Sequence, residues 1–205
     1  MNHLAHLLLS EADPCARIGN LMGDFVHGAI DINIWSPAVV RGLKLHRQID
    51  SHTDAHGLIK RSRARLQPPY RRYGPILIDV IYDHFLARHW LRYADEPLAE
   101  FAHQRYQEFA QQQDWMPPAL RLYTERLRHH DGLQAYADLA GIERVLQVLS
   151  RRLRRSNPLA TALPELERCY PELEADFAAF FPQLCMQVAS QIRIAPPLRP
   201  EFNQP

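Results

Sequence analysis

Two pairs of residues one helical turn apart stand out for the chemistry they offer: His46 with Asp50, and Asp79 with Asp83. Val39, Leu43, His46, Asp50 and Thr53 or Asp54 recur at steps of three and four, so a helix starting at Pro37 puts them on one face. The two valine and leucine positions turn that face inward, and His46 and Asp50 follow. A carboxylate removed from water needs a partner. A metal ion shared with His46 supplies one, and a basic side chain such as Arg47 is the alternative. In the second pair the stripe Ile76, Asp79, Asp83, Leu86, Trp90 is apolar at both ends, in a segment apolar enough to be a central helix. Like charges one turn apart repel, and burial strengthens the effect, so two acids there imply a cation between them or a raised pKa.

Asp24 sits among small and apolar residues in Gly19-Asn20-Leu21-Met22-Gly23-Asp24-Phe25-Val26, where a cap or turn role is equally open. His6, in Asn2-His3-Leu4-Ala5-His6-Leu7, is on its own a hydrogen-bonded core histidine or a member of the same site. Eight of the eleven histidines and seven aspartates fall within the first 90 residues. Imidazole and carboxylate without thiolate suit manganese first, with magnesium or iron as the other choices, rather than a structural zinc. Such an ion acidifies bound water and neutralises a phosphoryl oxygen, which points to hydrolysis of a phosphate ester.

Charge patterning points to a partner. Between residues 41 and 73 nine basic side chains face two acids, in a chain whose formal net charge is only +1. The run Lys60-Arg61-Ser62-Arg63-Ala64-Arg65 contains no acid. It reads as a contact surface for an anionic partner, or as a solvated face balanced by Glu165, Glu167, Glu172, Glu174 and Asp176. Arg151-Arg152-Leu153-Arg154-Arg155 is a second such run. Nucleic acid is not expected, because aromatic–glycine signatures are missing.

The elements that position these groups are helices. Glycines number eight, β-branched alternation is nearly absent, and helical periodicity covers about 3–10, 14–27, 37–64, 76–93, 97–113, 118–129, 141–155, 158–168 and 171–192. Asp13-Pro14 and Ser36-Pro37 pair a capping side chain with a first-turn proline. The expectation is a single compact all-α domain over 1–193 with an extended or mobile tail over 194–205. At 205 residues, 46% hydrophobic and 23% charged, the composition excludes a disordered chain, a collagenous repeat and a supercharged coat. No apolar run reaches the roughly 20 residues of a membrane span, and the start does not read as a signal peptide. Three scattered cysteines suit a reduced cytoplasm and argue against a disulfide scaffold.

Four segments taken in order, Met1–Leu7, Gly19–Val26, Leu45-His46-Arg47-Gln48-Ile49-Asp50 and Asp79–Leu86, resemble the acyl carrier protein phosphodiesterase family. The resemblance covers residues 1 to about 93 closely. It implies a helical fold of divergent HD-domain-like architecture and a manganese- or magnesium-dependent hydrolysis of the 4′-phosphopantetheine–serine phosphodiester of holo-acyl carrier protein, an acidic protein. No His-Asp dipeptide is present, only the reversed Asp83-His84. Ligands therefore do not carry over from HD enzymes at large; the inward-facing acids give Asp24, Asp50, Asp79 and Asp83 as holding the metal or its waters, and His46 or His84 as completing the set or protonating the leaving serine oxygen. Asn20 and His6 support them one layer out. Arg47 with Lys60, Arg61, Arg63 and Arg65 holds phosphate and carrier. The competing functions are hydrolysis of a small phosphate ester or nucleotide, and a non-enzymatic helical module that binds an acidic partner.

Overall fold

The computed structural model describes residues 2–192 and, among them, contains helices and no strand. The tail expected over 194–205 lies outside the described residues. Ten α-helices follow in order: α1 (His3–Leu8), α2 (Pro14–Leu21), α3 (Pro37–Ala55), α4 (Gly57–Arg65), α5 (Gly74–Arg88), α6 (Leu98–Gln111), α7 (Pro118–His129), α8 (Leu139–Arg152), α9 (Leu163–Arg168) and α10 (Tyr170–Ile192). Short 3₁₀ turns link several of them, including Met22–Phe25 between α2 and α3.

Helix starts follow the expected chemistry. The Asp13 carboxylate accepts the Ala16 N–H at 3.0 Å and Ser36 Oγ accepts the Val39 N–H at 3.4 Å, each ahead of a proline at the first helical position. The sequence predicts one helix over 37–64, and the chain instead breaks at His56. Its backbone turns extended (φ −70°, ψ 136°) while its Nδ1 accepts the Leu58 N–H at 3.2 Å, so the residue that ends α3 also caps α4. The bend lays α4 against α5 and α10.

α5 is central, with Leu77, Ile78, Ile81, Tyr82, Phe85 and Leu86 fully buried. Tyr82 and Phe85 pack on Phe177 of α10, ring centres 5.3 and 5.8 Å away. Burial of each such aromatic side chain contributes about 1.5–3 kcal/mol. α2 and α3 meet backbone to backbone. A Cβ at Gly42 would lie 1.9 Å from the Ala16 carbonyl oxygen, and one at Gly19 would lie 2.5 Å from that of Val39. This close approach brings Asn20 and the turn after α2 up to the polar face of α3. No helix among the described residues is long and apolar enough to cross a membrane.

Candidate active site

α1, α2, the Met22–Phe25 turn and α3 converge on one cluster. His6 (α1), His46 and Asp50 (α3) each direct a ligand-type atom to a common point, with those atoms within 4.8 Å of one another. Asp50 is shared: Oδ1 lies 3.1 Å from His6 Nε2 and Oδ2 lies 3.0 Å from His46 Nε2. Asp24 joins from the 3₁₀ turn, its Oδ1 3.6 Å from His46 Nε2. The two imidazoles stack with centres 4.2 Å apart and planes 20° from parallel. Both imidazoles are buried, whereas the Asp24 and Asp50 side chains are 50% and 38% exposed, so the carboxylates form the mouth of the cluster.

Neighbouring groups set the protonation of His6. Its Nδ1 lies 2.9 Å from Asn20 Oδ1, an atom that only accepts, so the ring proton sits on Nδ1 and Nε2 carries a lone pair. Asn20 cannot turn its amide, because Nδ2 donates to the His6 carbonyl at 2.9 Å and to Ser10 Oγ at 2.8 Å. The His6 Nε2 lone pair therefore faces the Asp50 carboxylate, acceptor against acceptor. Gly23 completes the fit: a Cβ there would lie 2.1 Å from the His46 ring.

Residues 1–184 match the sequence profile of the acyl carrier protein phosphodiesterase family. Relatives bearing that name include one from Serratia proteamaculans, 36% identical over 91% of this chain and 97% of its own length. Others come from an Enterobacter species, 34% identical over 93% of this chain and 99% of the relative, and from Yersinia pestis, 34% identical over 91% and 97%. The chain belongs to the acyl carrier protein phosphodiesterase family. No solved structure matches it significantly. As its relatives are named for a phosphodiesterase activity on acyl carrier protein, this family member is a phosphodiester hydrolase.

Electrostatics in this phosphodiesterase divide the two histidines. Burial pulls His6 down to about 4 despite its Asp50 neighbour, so it is neutral at physiological pH. Burial also pulls on His46, but Asp24 and Asp50 overcome it and lift the ring to about 9. The two carboxyls are pushed up by burial and held well below the usual carboxylate range by their imidazole partners.

The other expected site residues take different places. Asp79 is half-buried, and its carboxyl is pushed up by burial with the Asp50 charge adding to it. Asp83 is fully enclosed and lies outside the cluster: its oxygens accept the N–H groups of Leu4 and Ala5 at 2.8 and 3.3 Å, capping α1, and burial lifts its carboxyl to about 7. His84 also lies elsewhere, with Nδ1 donating to the Tyr136 carbonyl at 2.8 Å and Nε2 accepting from the Tyr170 hydroxyl at 2.7 Å. Arg47 anchors the loop after Asp24 by donating to the Gly28 carbonyl at 2.7 Å. Arg61 and Arg65 both bind the buried Asp176, and Arg63 pairs with Asp54 at 2.6 Å, while Lys60 is exposed.

Two residues of the site had no place in the sequence argument. His3 Nε2 lies 2.9 Å from Asp24 Oδ2, and the Tyr123 hydroxyl of α7 hydrogen-bonds His3 Nδ1. His3 was within reach of periodicity, since it stands three positions before His6 on α1. Nothing in the sequence singles out Tyr123. A cavity of about 500 Å³ lies between α6 and α7 around His103, Tyr106 and Arg128 and shares no residue with the cluster.

Proposed function

We propose that this chain hydrolyses the 4′-phosphopantetheine–serine phosphodiester of holo-acyl carrier protein, using a divalent ion held by His6, His46 and Asp50. One observation carries this reading: a ring nitrogen of His6, one of His46 and a carboxylate oxygen of Asp50 converge within 4.8 Å of one another, a spacing at which a single divalent cation can take all three as ligands. The donor set fits such an ion, because two imidazoles and a carboxylate without thiolate suit manganese, with magnesium or iron in the same range. The buried His46 Nδ1, which has no hydrogen-bond partner, leaves that ring held only through Nε2. The family name supplies the substrate class.

When bound, the ion would supply an acidified water and neutralise a phosphoryl oxygen. The chain's own side chains do the rest. Asn20 fixes the His6 tautomer, and Gly23 leaves room for the His46 ring. Asp24, at the mouth and oriented by His3, accepts the proton of the attacking water. Water oxygen joins phosphorus, the phosphorus–serine oxygen bond breaks, and the serine oxygen takes up the proton that Asp24 accepted, giving apo-carrier and 4′-phosphopantetheine.

Chelation tests it. Release of apo-carrier from holo-carrier is expected to stop after dialysis against a chelator and to return with Mn²⁺, while His6→Ala and Asp50→Asn stay inactive. Full turnover in chelator by protein with no bound metal on elemental analysis would remove this reading.

A further inference from the structure

The second arginine run, unlike the first, is turned outward. Residues 151–155, at the end of α8 and the turn after it, are all exposed. Among the described residues, none of Arg151, Arg152, Arg154 and Arg155 has a carboxylate within ion-pair distance, whereas the α4 arginines are committed to Asp176 and Asp54. The turn is also held in shape. Asn157 Nδ2 donates to the Ser150 and Arg155 carbonyls, both at 3.0 Å, and its Oδ1 accepts the N–H of the buried Leu159 at 3.2 Å. Four uncompensated guanidinium groups on a braced turn repel one another, and a partner that neutralises them loses little ordering entropy on binding.

The run adjoins the site. The Arg152 guanidinium carbon lies 5.6 Å from the centre of the Tyr123 ring, and Tyr123 hydrogen-bonds His3, which holds Asp24 at the mouth of the cluster. We propose that the Arg151–Arg155 turn is the docking surface for an acidic face of the protein substrate, with Arg152 at its inner edge beside the cluster. The assignment rests on the carrier-hydrolase reading above. Leu153, 38% exposed between the arginines, adds an apolar contact. A protein fits better than nucleic acid, because the turn presents no aromatic ring for base stacking and Arg152 covers the face of Tyr123.

The experiment compares wild type, the triple charge reversal Arg151→Glu/Arg154→Glu/Arg155→Glu, and Arg92→Glu as an exposed control. Each is assayed with holo-acyl carrier protein from low to high salt, and for binding of apo-carrier by calorimetry. The triple variant is expected to raise KM and Kd at least tenfold, to lose most of their salt dependence, and to keep kcat within about threefold. Arg92→Glu is expected to stay within twofold throughout. Retained thermal transition and circular dichroism identify folded protein, and Arg154→Glu alone, with an expected three-fold rise in KM, serves if the triple variant does not fold. Wild-type KM and Kd in folded variants overturn the docking assignment, as does tight binding of a single-stranded RNA oligonucleotide that carrier does not displace. Failure of the wild type to hydrolyse holo-carrier overturns the functional reading instead.

Discussion

Asp50 and Asp176 are both carboxylates gripped by two basic side chains, yet they do opposite things. Asp176 is fully enclosed and is held by Arg61, Arg65 and Ser62, with Tyr82 donating on to Ser62. Every lone pair there meets a permanent donor, and the arrangement ties α4 to α10. Asp50 is partly exposed and faces two imidazoles, one of them neutral with its lone pair turned towards the acid. Saturated partners make a fastening. His6, held neutral with its ring proton directed at Asn20, does not saturate Asp50 in that way, and this difference sets the candidate site apart from the fastening more sharply than burial or charge alone.

The contrast can be broken from either side. Asp50→Asn is expected to lower kcat/KM for holo-carrier by more than the about 10–100-fold that loss of an outer partner costs, with little change in melting temperature. Gly23→Ala is expected to cost about 100-fold, because the added methyl displaces the His46 ring by more than an ångström while the fold survives. Asn20→Ala, which frees the His6 tautomer, is expected to weaken Mn²⁺ binding about 10–100-fold in a competition assay with a fluorescent chelator. Asp176→Asn is expected to keep kcat/KM in the folded fraction and to lose about 2–3 kcal/mol of stability by urea titration, less than for a fully enclosed pair because the arginines reach water.

The smallest effects are in pH dependence, and their signs differ. Asp176 is held below the usual carboxylate range, so its stabilisation is present above about pH 4 and lost below it. Asp83, lifted to about 7, keeps a proton that the unfolded chain releases near pH 4, so it favours the fold less as pH rises between those values. Urea midpoints across pH 3–8 for Asp83→Asn and Asp176→Asn are expected to flatten opposite limbs of the profile.

Much of this was legible in the residues. His46 and Asp50 were placed together by a stripe begun by Val39 and Leu43, because helical spacing is local information. The helices appeared with their caps at Asp13 and Ser36 for the same reason. Asp83 shows where local information stops: the chain spacing made it a partner of Asp79, but its actual partners are backbone N–H groups 78 and 79 residues away. His56 likewise reads as mid-helix until α5 and α10 give α4 something to turn towards. In the 60–65 run the alternative of balance by Asp176 is the arrangement present for Arg61 and Arg65, and only the fold could separate it from an open surface.

The cap that Asp83 provides has a consequence for α1. A helix of six residues does not persist alone in water, since isolated helices shorter than about 12–15 residues are marginal. His3 and His6 therefore reach their stations only because a carboxylate on the central helix seizes the first turn and Leu4, Ala5 and Leu7 are sealed beneath it. A synthetic peptide of that opening stretch would carry the same imidazoles and gather nothing. The gathering of these imidazoles is therefore delivered by tertiary docking and not by the helix itself.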